Sequence, residues 1–196
     1  MVLDRPWVAV VGTRGPDERS KRAAYGLGRD LAGAGAVVVS GLAWGIDGQA
    51  HRGAVETGVT VAVLGHGIDG VSPVGHQGLA RRILAAGGAM VSEYGPGEPA
   101  FGYRFVERNR IISGLARTVV VVQAPVRSGA LATADFGLDQ GRDVVVHAEG
   151  LEGDRGAGTR NLARQGAPII FGAADVVKMW NEGSVGRLGL QQDLDW

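Results

Sequence analysis

The chain has 196 residues, 45% of them hydrophobic and 20% charged, with 20 basic and 20 acidic side chains. This composition is typical of one globular domain and excludes an intrinsically disordered chain. The balanced charge excludes a uniformly basic surface but is compatible with a local basic patch. The absence of cysteine excludes disulfides and thiolate metal sites. The first residues lack the pattern of a secretory leader, and no apolar run is long enough to span a membrane, so we expect a cytoplasmic protein without membrane contact.

Apolar runs alternate with amphipathic stretches from the first strand onwards. Strands are predicted at 7–11, 37–40, 60–64, 89–93, 118–124, 143–147 and 168–171, and helices at 18–34, 46–56, 79–86, 108–116, 129–140, 161–165 and 174–180. The strands are continuous apolar runs, which is typical of sheets covered on both faces. We therefore expect an α/β fold, a doubly wound and mostly parallel Rossmann-like sheet with helices on both faces. One domain is expected over 1–182, followed by a polar C-terminal tail over 183–196.

Small residues, hydroxyls and guanidiniums follow the predicted strands. Ligands of parallel α/β sheets bind outside the carboxyl ends of the strands, so these residues are the candidate site. Backbone N–H groups, hydroxyls and arginines are the groups that bind phosphate oxygens. The candidate phosphate-binding residues are Gly12, Thr13, Arg14, Ser40, Gly41, Gly65, His66, Gly67, Arg108, Asn109, Arg110, Ser128 and Gly129.

Two interpretations of the block from Arg108 to Gly114 stay open at this point. Two arginines at the start of a helix suit an anion, because the first N–H groups there are unpaired and the helix dipole is positive. Alternatively, the block is a solvated helix start whose arginines pair with Glu107 or Glu98.

The sequence offers no catalytic, metal or cofactor site. It has neither the Gly-x-Gly-x-x-Gly fingerprint nor a Walker loop, and its histidines lack a metal-ligand spacing. Ser128 has no nucleophile elbow around it. Asp47 is predicted to cap its helix and His51 to pack against that turn. Trp44 has two equal interpretations, as a base-stacking side chain or as a half-buried packing residue.

Six segments carry a family resemblance. They are Gly-Thr-Arg at 12–14, Ser-Gly-Leu-Ala-x-Gly-Ile-Asp-x-x-Ala-His at 40–51, Val-Ala-Val-Leu-Gly-x-Gly at 61–67, Ser-Glu at 92–93, Phe-x-x-Arg-Asn-Arg-Ile-Ile-Ser-Gly-Leu-Ala at 105–116 and Ser-Gly-Ala-Leu-x-Thr-Ala at 128–134. In this order they resemble the DNA-processing family DprA, also called Smf, from about residue 8 to residue 167. The resemblance implies a Rossmann-like core, single-stranded DNA in a basic pocket, a homodimer, and delivery of a RecA-type recombinase onto that DNA in natural transformation.

The resemblance also implies roles for single residues. Arg14 matches the arginine that grips phosphate, and Ser40 with Gly41 matches positions where the backbone approaches the ligand. Arg108 and Arg110 match the basic wall of the pocket. Ser128 and Gly129 match a small-residue turn at its rim.

The chain departs from the family pattern at three points. Gly70 and Ser72 stand where a cation and an aromatic are usual, and Gln123 stands where Glu is common. Only the core domain of the longer relatives is matched. The alternative function is a nucleotide-binding sensor or a nucleotide-processing enzyme of the phosphoribohydrolase-like proteins. The run at 127–133 argues against that enzyme, because the catalytic Glu that follows such a run is replaced by Ala134-Asp135.

Overall fold

The computed structural model of the chain describes residues 4–182, and the predicted tail at 183–196 lies outside the described residues. Strands and helices alternate in the order β1 Trp7–Val11, α1 Glu18–Gly33, β2 Val37–Ser40, α2 Ile46–Thr57, β3 Thr60–Val63, α3 Gln77–Ala85, β4 Ala89–Val91, α4 Gly102–Glu107, α5 Asn109–Leu115, β5 Thr118–Val121, α6 Gly129–Asp139, β6 Asp143–His147, α7 Ala157–Arg164, β7 Ile169–Ile170 and α8 Ala173–Asn181. Short 3-10 turns precede α3 and α7.

The strands of this region form a parallel sheet of seven strands in the order β4-β3-β2-β1-β5-β6-β7. The strand β1 lies at its centre, with Val8 opposite Val38 of β2 and opposite Thr118 of β5. The strand order reverses at this point, so the carboxyl ends of β1 and β5 border the crevice where ligands of such sheets bind. The expected doubly wound α/β class is confirmed.

Both faces of the sheet are covered, because side chains alternate across each buried strand. On β1, Val8 and Val10 belong to the core shared with α1, α2 and α8. Ala9 and Val11 belong to the core shared with α5, α6 and α7. A third cluster, which includes Leu64, joins α3 to the β3 side of the sheet. Because both faces of the sheet are buried, its central strands carry apolar side chains on both faces.

The helix predicted at 108–116 is the largest difference from the sequence prediction. The structure has two helices there, α4 and α5, joined at Arg108, whose own backbone is helical. The N–H of Arg108 donates to the carbonyl of Arg104 at 2.9 Å, so the block does not begin a helix with unpaired N–H groups. The helix α4 escaped prediction because it buries no residue and therefore carries no apolar periodicity.

Smaller differences concern element ends. The strands predicted at 118–124 and 89–93 end at Val121 and Val91, and α7 begins at Ala157 instead of residue 161. The apolar sequence continues beyond the last residue that pairs with a neighbouring strand, and the backbone groups there bond to other partners. The N–H of Ala124, for example, donates to the Thr159 hydroxyl at 2.8 Å. No helix within residues 4–182 is long and apolar enough to cross a membrane.

Candidate functional site

A cleft of about 370 Å³ lies at the carboxyl edge of the sheet, beside the point where the strand order reverses. It is bordered by the β1–α1 turn, the β2–α2 loop, the start of α6 and the α4–α5 pair. Seven of the residues predicted from the sequence line it, namely Gly12, Thr13, Arg14, Arg108, Asn109, Ser128 and Gly129.

The β1–α1 turn is held tightly against its neighbours. The N–H of Thr13 donates to the carbonyl of Gln123 at 2.7 Å, and the N–H of Ile46 donates to the carbonyl of Thr13 at 3.2 Å. A Cβ at Gly12 would lie 2.5 Å from Ile46 Cγ1 and 2.8 Å from the Gln123 carbonyl, so only glycine fits there. The packed turn therefore fixes where the next side chain, Arg14, leaves the backbone.

Arg14 is an exposed cation at the rim of this cleft. Its guanidinium carbon lies 5.7 Å from the centre of the Phe105 ring, within cation–π range. Among the described residues it forms no ion pair within 4 Å. The positive charge is therefore available to an anionic ligand.

The start of α6 also lines the cleft. Ser128 is the N-cap residue, yet its side chain makes no capping bond, and its buried Oγ has no partner within residues 4–182. The first N–H groups of a helix have no acceptor inside the helix. Asn109 Nδ2 donates to the carbonyl of Gly129 at 3.0 Å and so fastens this turn to α5. This part of the cleft offers backbone N–H groups at a positive helix end, which is a typical anion cradle.

Arg108 has a different environment from the one that the sequence indicates. The residue is only 3% exposed, and its guanidinium donates to the carbonyl of Gly41 at 2.8 Å and to the carbonyl of Val63. Burial lowers its pKa to about 10, against the opposing effect of the Asp47 carboxylate. The guanidinium therefore braces the ends of β2 and β3. The alternative of an exposed arginine paired with Glu98 or Glu107 is wrong for Arg108.

Asp47 completes this brace. Its Oδ2 accepts a hydrogen bond from the N–H of Gly41 at 3.1 Å. Burial raises the pKa of its carboxyl group, while the Arg108 charge acts in the opposite direction. The prediction that Asp47 caps α2 is wrong, because the N-cap is Gly45 and Asp47 lies in the first turn. Its carboxylate is directed back to the β2–α2 loop.

Six predicted residues do not line the cleft, namely Ser40, Gly41, Gly65, His66, Gly67 and Arg110. The Ser40 hydroxyl is buried and donates to the carbonyl of Val10 at 2.7 Å. A Cβ at Gly41 would lie 2.5 Å from Arg108 Nη2, so this glycine admits the guanidinium and not a ligand. Arg110 is exposed and pairs with Glu93.

The loop at 65–72 is organised by the buried His66 ring. Its Nδ1 lies 2.9 Å from the carbonyl of Gly67, and its Nε2 accepts from the N–H of Ser72 at 3.2 Å. A Cβ at Gly65 would lie 2.9 Å from Phe105 Cδ1, so that glycine lets the aromatic ring approach the end of β3. The contribution of Gly65 to the cleft is therefore indirect, through the position of Phe105.

Sequence reasoning missed several residues that line the cleft, of which Phe105 is the most important. Its ring has the Arg14 guanidinium at 5.7 Å and the Arg108 guanidinium at 5.9 Å. The available signal was an aromatic residue three positions before the arginine block. Trp44 does not line the cleft and contacts the His76 ring edge-on at 4.2 Å, which supports its packing interpretation.

His51 is a fully buried residue of α2. Its Nδ1 lies 2.7 Å from the Thr60 hydroxyl, and burial lowers its pKa to about 3. It is neutral at physiological pH and packs against β3. Within residues 4–182, no group of three or more His, Asp or Glu side chains is placed to hold a metal ion.

The fold defines a doubly wound α/β protein with a cleft at its topological switch point, where ligands of such sheets bind. The family model for DNA recombination-mediator protein A matches residues 1–181. The chain belongs to this family, as its sequence motifs predict.

Two curated relatives illustrate the match. Protein Smf of Escherichia coli is 40% identical over 172 residues, which cover 87% of this chain and 46% of the relative. The DNA processing protein DprA of Streptococcus pneumoniae is 36% identical over 181 residues, 90% of this chain and 62% of the relative. The chain thus spans about half to two thirds of the length of these relatives.

Solved structures of DprA proteins have the same fold as this chain. The X-ray structure of S. pneumoniae DprA has a TM-score of 0.81 at 36% identity and covers 90% of this chain and 62% of that one. A structure of Helicobacter pylori DprA, whose description concerns its single-stranded DNA binding mode, has a TM-score of 0.83 at 29% identity. The match covers 92% of this chain and 83% of that one. A molybdenum cofactor binding protein of Rippkaea orientalis shares only the fold, at 19% identity and a TM-score of 0.61.

Proposed function

We propose that this chain binds single-stranded DNA through the cleft, as a binding protein and not as an enzyme. The observation that carries the proposal is the exposed Arg14 cation, which forms no ion pair with any described residue and lines the same cleft as the start of α6. The buried Ser128 hydroxyl at that helix start has no partner within residues 4–182. A backbone phosphate would pair with the Arg14 guanidinium and with the first backbone N–H groups of α6. The H. pylori relative, described as binding single-stranded DNA, supports the same ligand here.

The charges in the cleft favour a phosphodiester. Asp47 is the acidic residue of the lining, and the neighbouring Arg108 balances it. Arg14 then remains as an uncompensated positive charge. The half-buried Phe105 also lines the cleft, and its ring can stack on a base. Unpaired bases are free to stack on aromatic side chains, whereas duplex bases are already stacked, so single strands are preferred.

Fluorescence anisotropy with labelled single-stranded and duplex DNA at two salt concentrations tests this proposal. We expect Arg14→Ala to weaken single-strand binding about tenfold, since one charge-assisted hydrogen bond is lost. The slope of log affinity against log salt falls in magnitude by about 0.7 for one lost phosphate contact.

Arg81→Ala, at an exposed arginine of α3, is the matched control and binds as wild type. Arg110→Ala has a smaller effect than Arg14→Ala, because Glu93 already neutralises that arginine. Negligible binding by the wild type at both salt concentrations refutes the proposal.

We also propose a homodimer and a role in delivering a RecA-type recombinase to the bound strand, in keeping with the description of the family as recombination mediators. The outermost strand β7 exposes Ile169 and leaves Phe171, just beyond it, 78% exposed. An open strand edge with apolar side chains is suited to pairing with a second copy. Light scattering of the wild type and Phe171→Asp tests the dimer, and recombinase filament assembly with and without the protein tests the delivery.

A free nucleotide is the second candidate ligand, because the α6 cradle suits the phosphate of a mononucleotide as well as that of DNA. Thermal unfolding with and without nucleoside monophosphates separates the two. A ligand that binds only the folded state raises the melting temperature. A rise with nucleotides, together with no affinity for DNA, would favour the nucleotide.

A further inference from the structure

Four planar side chains form a row on α4 and the loop before it. The Arg104 guanidinium carbon lies 4.4 Å from the centre of the Tyr94 ring and 5.2 Å from that of the Phe101 ring. The Phe101 and Tyr103 rings are nearly parallel, at 8°, with their centres 5.8 Å apart. We call Tyr94, Arg104, Phe101 and Tyr103 the aromatic ladder. An arginine between two rings combines cation–π contact with stacking.

The ladder is held in place from one side. Arg104 donates to the Glu98 carboxylate at 2.7 Å and to the carbonyl of Pro99 at 3.1 Å, and its side chain is only 14% exposed. The Tyr94 hydroxyl donates to Glu107 at 3.1 Å. The ion pair with Glu98 leaves the ladder with no free positive charge.

The other side of the ladder is open. Phe101 is 47% exposed and Tyr103 is 57% exposed, and α4 buries none of its residues. These rings therefore add little to the hydrophobic core. They adjoin the cleft, because Gly102 between them and Phe105 one turn further both line it.

We propose that the aromatic ladder is a base-stacking platform for the DNA strand where it leaves the cleft, with Phe101 and Tyr103 as the contact residues. The inference rests on the proposed function and adds a second contact region of different chemistry. Every base has a flat π face, so stacking is tolerant of sequence. The ladder ends in the exposed rings of Phe101 and Tyr103. A nucleic-acid base is a planar group that can stack on such rings. Because its cation is already paired, the ladder recognises bases and not phosphates.

The test compares wild type, the double variant Phe101→Leu with Tyr103→Leu, and Tyr103→Phe in anisotropy titrations. One probe is an oligothymidylate, and the other is a strand of the same length made of abasic nucleotides, which keeps the phosphates and lacks the bases. We expect the double variant to bind oligothymidylate about tenfold more weakly, in keeping with the usual loss per stacked base. It binds the abasic strand as wild type does. Its salt slope stays unchanged, because no phosphate contact is lost. Tyr103→Phe keeps the ring and binds as wild type.

The possible failures are distinguishable. Equal affinity of the wild type and the double variant for oligothymidylate overturns the ladder while leaving binding in the cleft intact, and it would instead favour a protein partner for this surface. An equal loss on both probes, or a lower salt slope, also overturns it, because the effect would not come from bases. If the wild type binds neither probe, the proposed function itself fails. Circular dichroism melting checks that the variants fold, as expected for a helix that buries no residue.

Discussion

Replacing Arg108 with alanine should destabilise the protein far more than replacing an exposed arginine. The substitution leaves the buried carbonyls of Gly41 and Val63 without their donor. Each unsatisfied buried carbonyl costs about 1–3 kcal/mol. It also removes the positive charge that opposes the effect of burial on the Asp47 carboxyl group. From the two carbonyls we therefore expect the free energy of unfolding to fall by about 3–5 kcal/mol.

Urea unfolding and thermal melting measure this loss. A domain of this size loses about 2–4 °C of melting temperature per kcal/mol, so we expect a decrease of about 6–20 °C. Arg110→Ala is the matched control, two residues further along the chain. Its exposed pair with Glu93 contributes about 0–1 kcal/mol, so its melting temperature should stay close to that of wild type.

DNA binding by the same variants shows whether Arg108 supports the cleft structurally or contacts the DNA itself. As a brace, Arg108 affects binding through the β2–α2 loop, and the salt slope of folded Arg108→Ala stays close to that of wild type. The reasoning is refuted if Arg108→Ala melts within about 2 °C of wild type and yet loses affinity and salt slope as Arg14→Ala does. Arg108 would then contact phosphate directly.

Two further predictions concern buried polar groups. The pKa of His51 is about 3 in the folded protein against an ordinary 6.5, so the neutral ring is stabilising above pH 6.5 and this contribution is lost as the pH falls. Between pH 6 and pH 4, the free energy of unfolding of wild type, measured with urea, should therefore fall by about 1.4 kcal/mol per pH unit relative to that of His51→Gln. Parallel plots of unfolding free energy against pH for the two proteins would contradict this. Gln123→Glu should lower the free energy of unfolding at pH 7 by about 2 kcal/mol, because Gln123 Nε2 donates to Asp17 at 2.6 Å and a second carboxylate there would repel it. Unchanged urea stability of this variant would show that the Asp17 contact is dispensable.

The sequence predicted the sheet well because burial on both faces leaves a local mark. Each central strand contains an unbroken apolar run, as at 37–39 in β2 and 119–121 in β5. The small residues at the strand ends likewise indicated the carboxyl edge, and both Arg14 and Ser128 line the cleft there. By contrast, α4 left no such mark, since no residue of it is buried.

The sequence by itself determined the α/β class, the edge of the sheet that carries the cleft and the family, since each depends on short segments read in order. Only the tertiary structure decided what each side chain at that edge does. Arg108 and Arg110 are equivalent in the sequence, yet one is buried against carbonyls 67 and 45 residues away and the other lies in solvent beside Glu93. The environment of a charged side chain is set by such distant partners, because a buried guanidinium is stable only where the fold supplies acceptors.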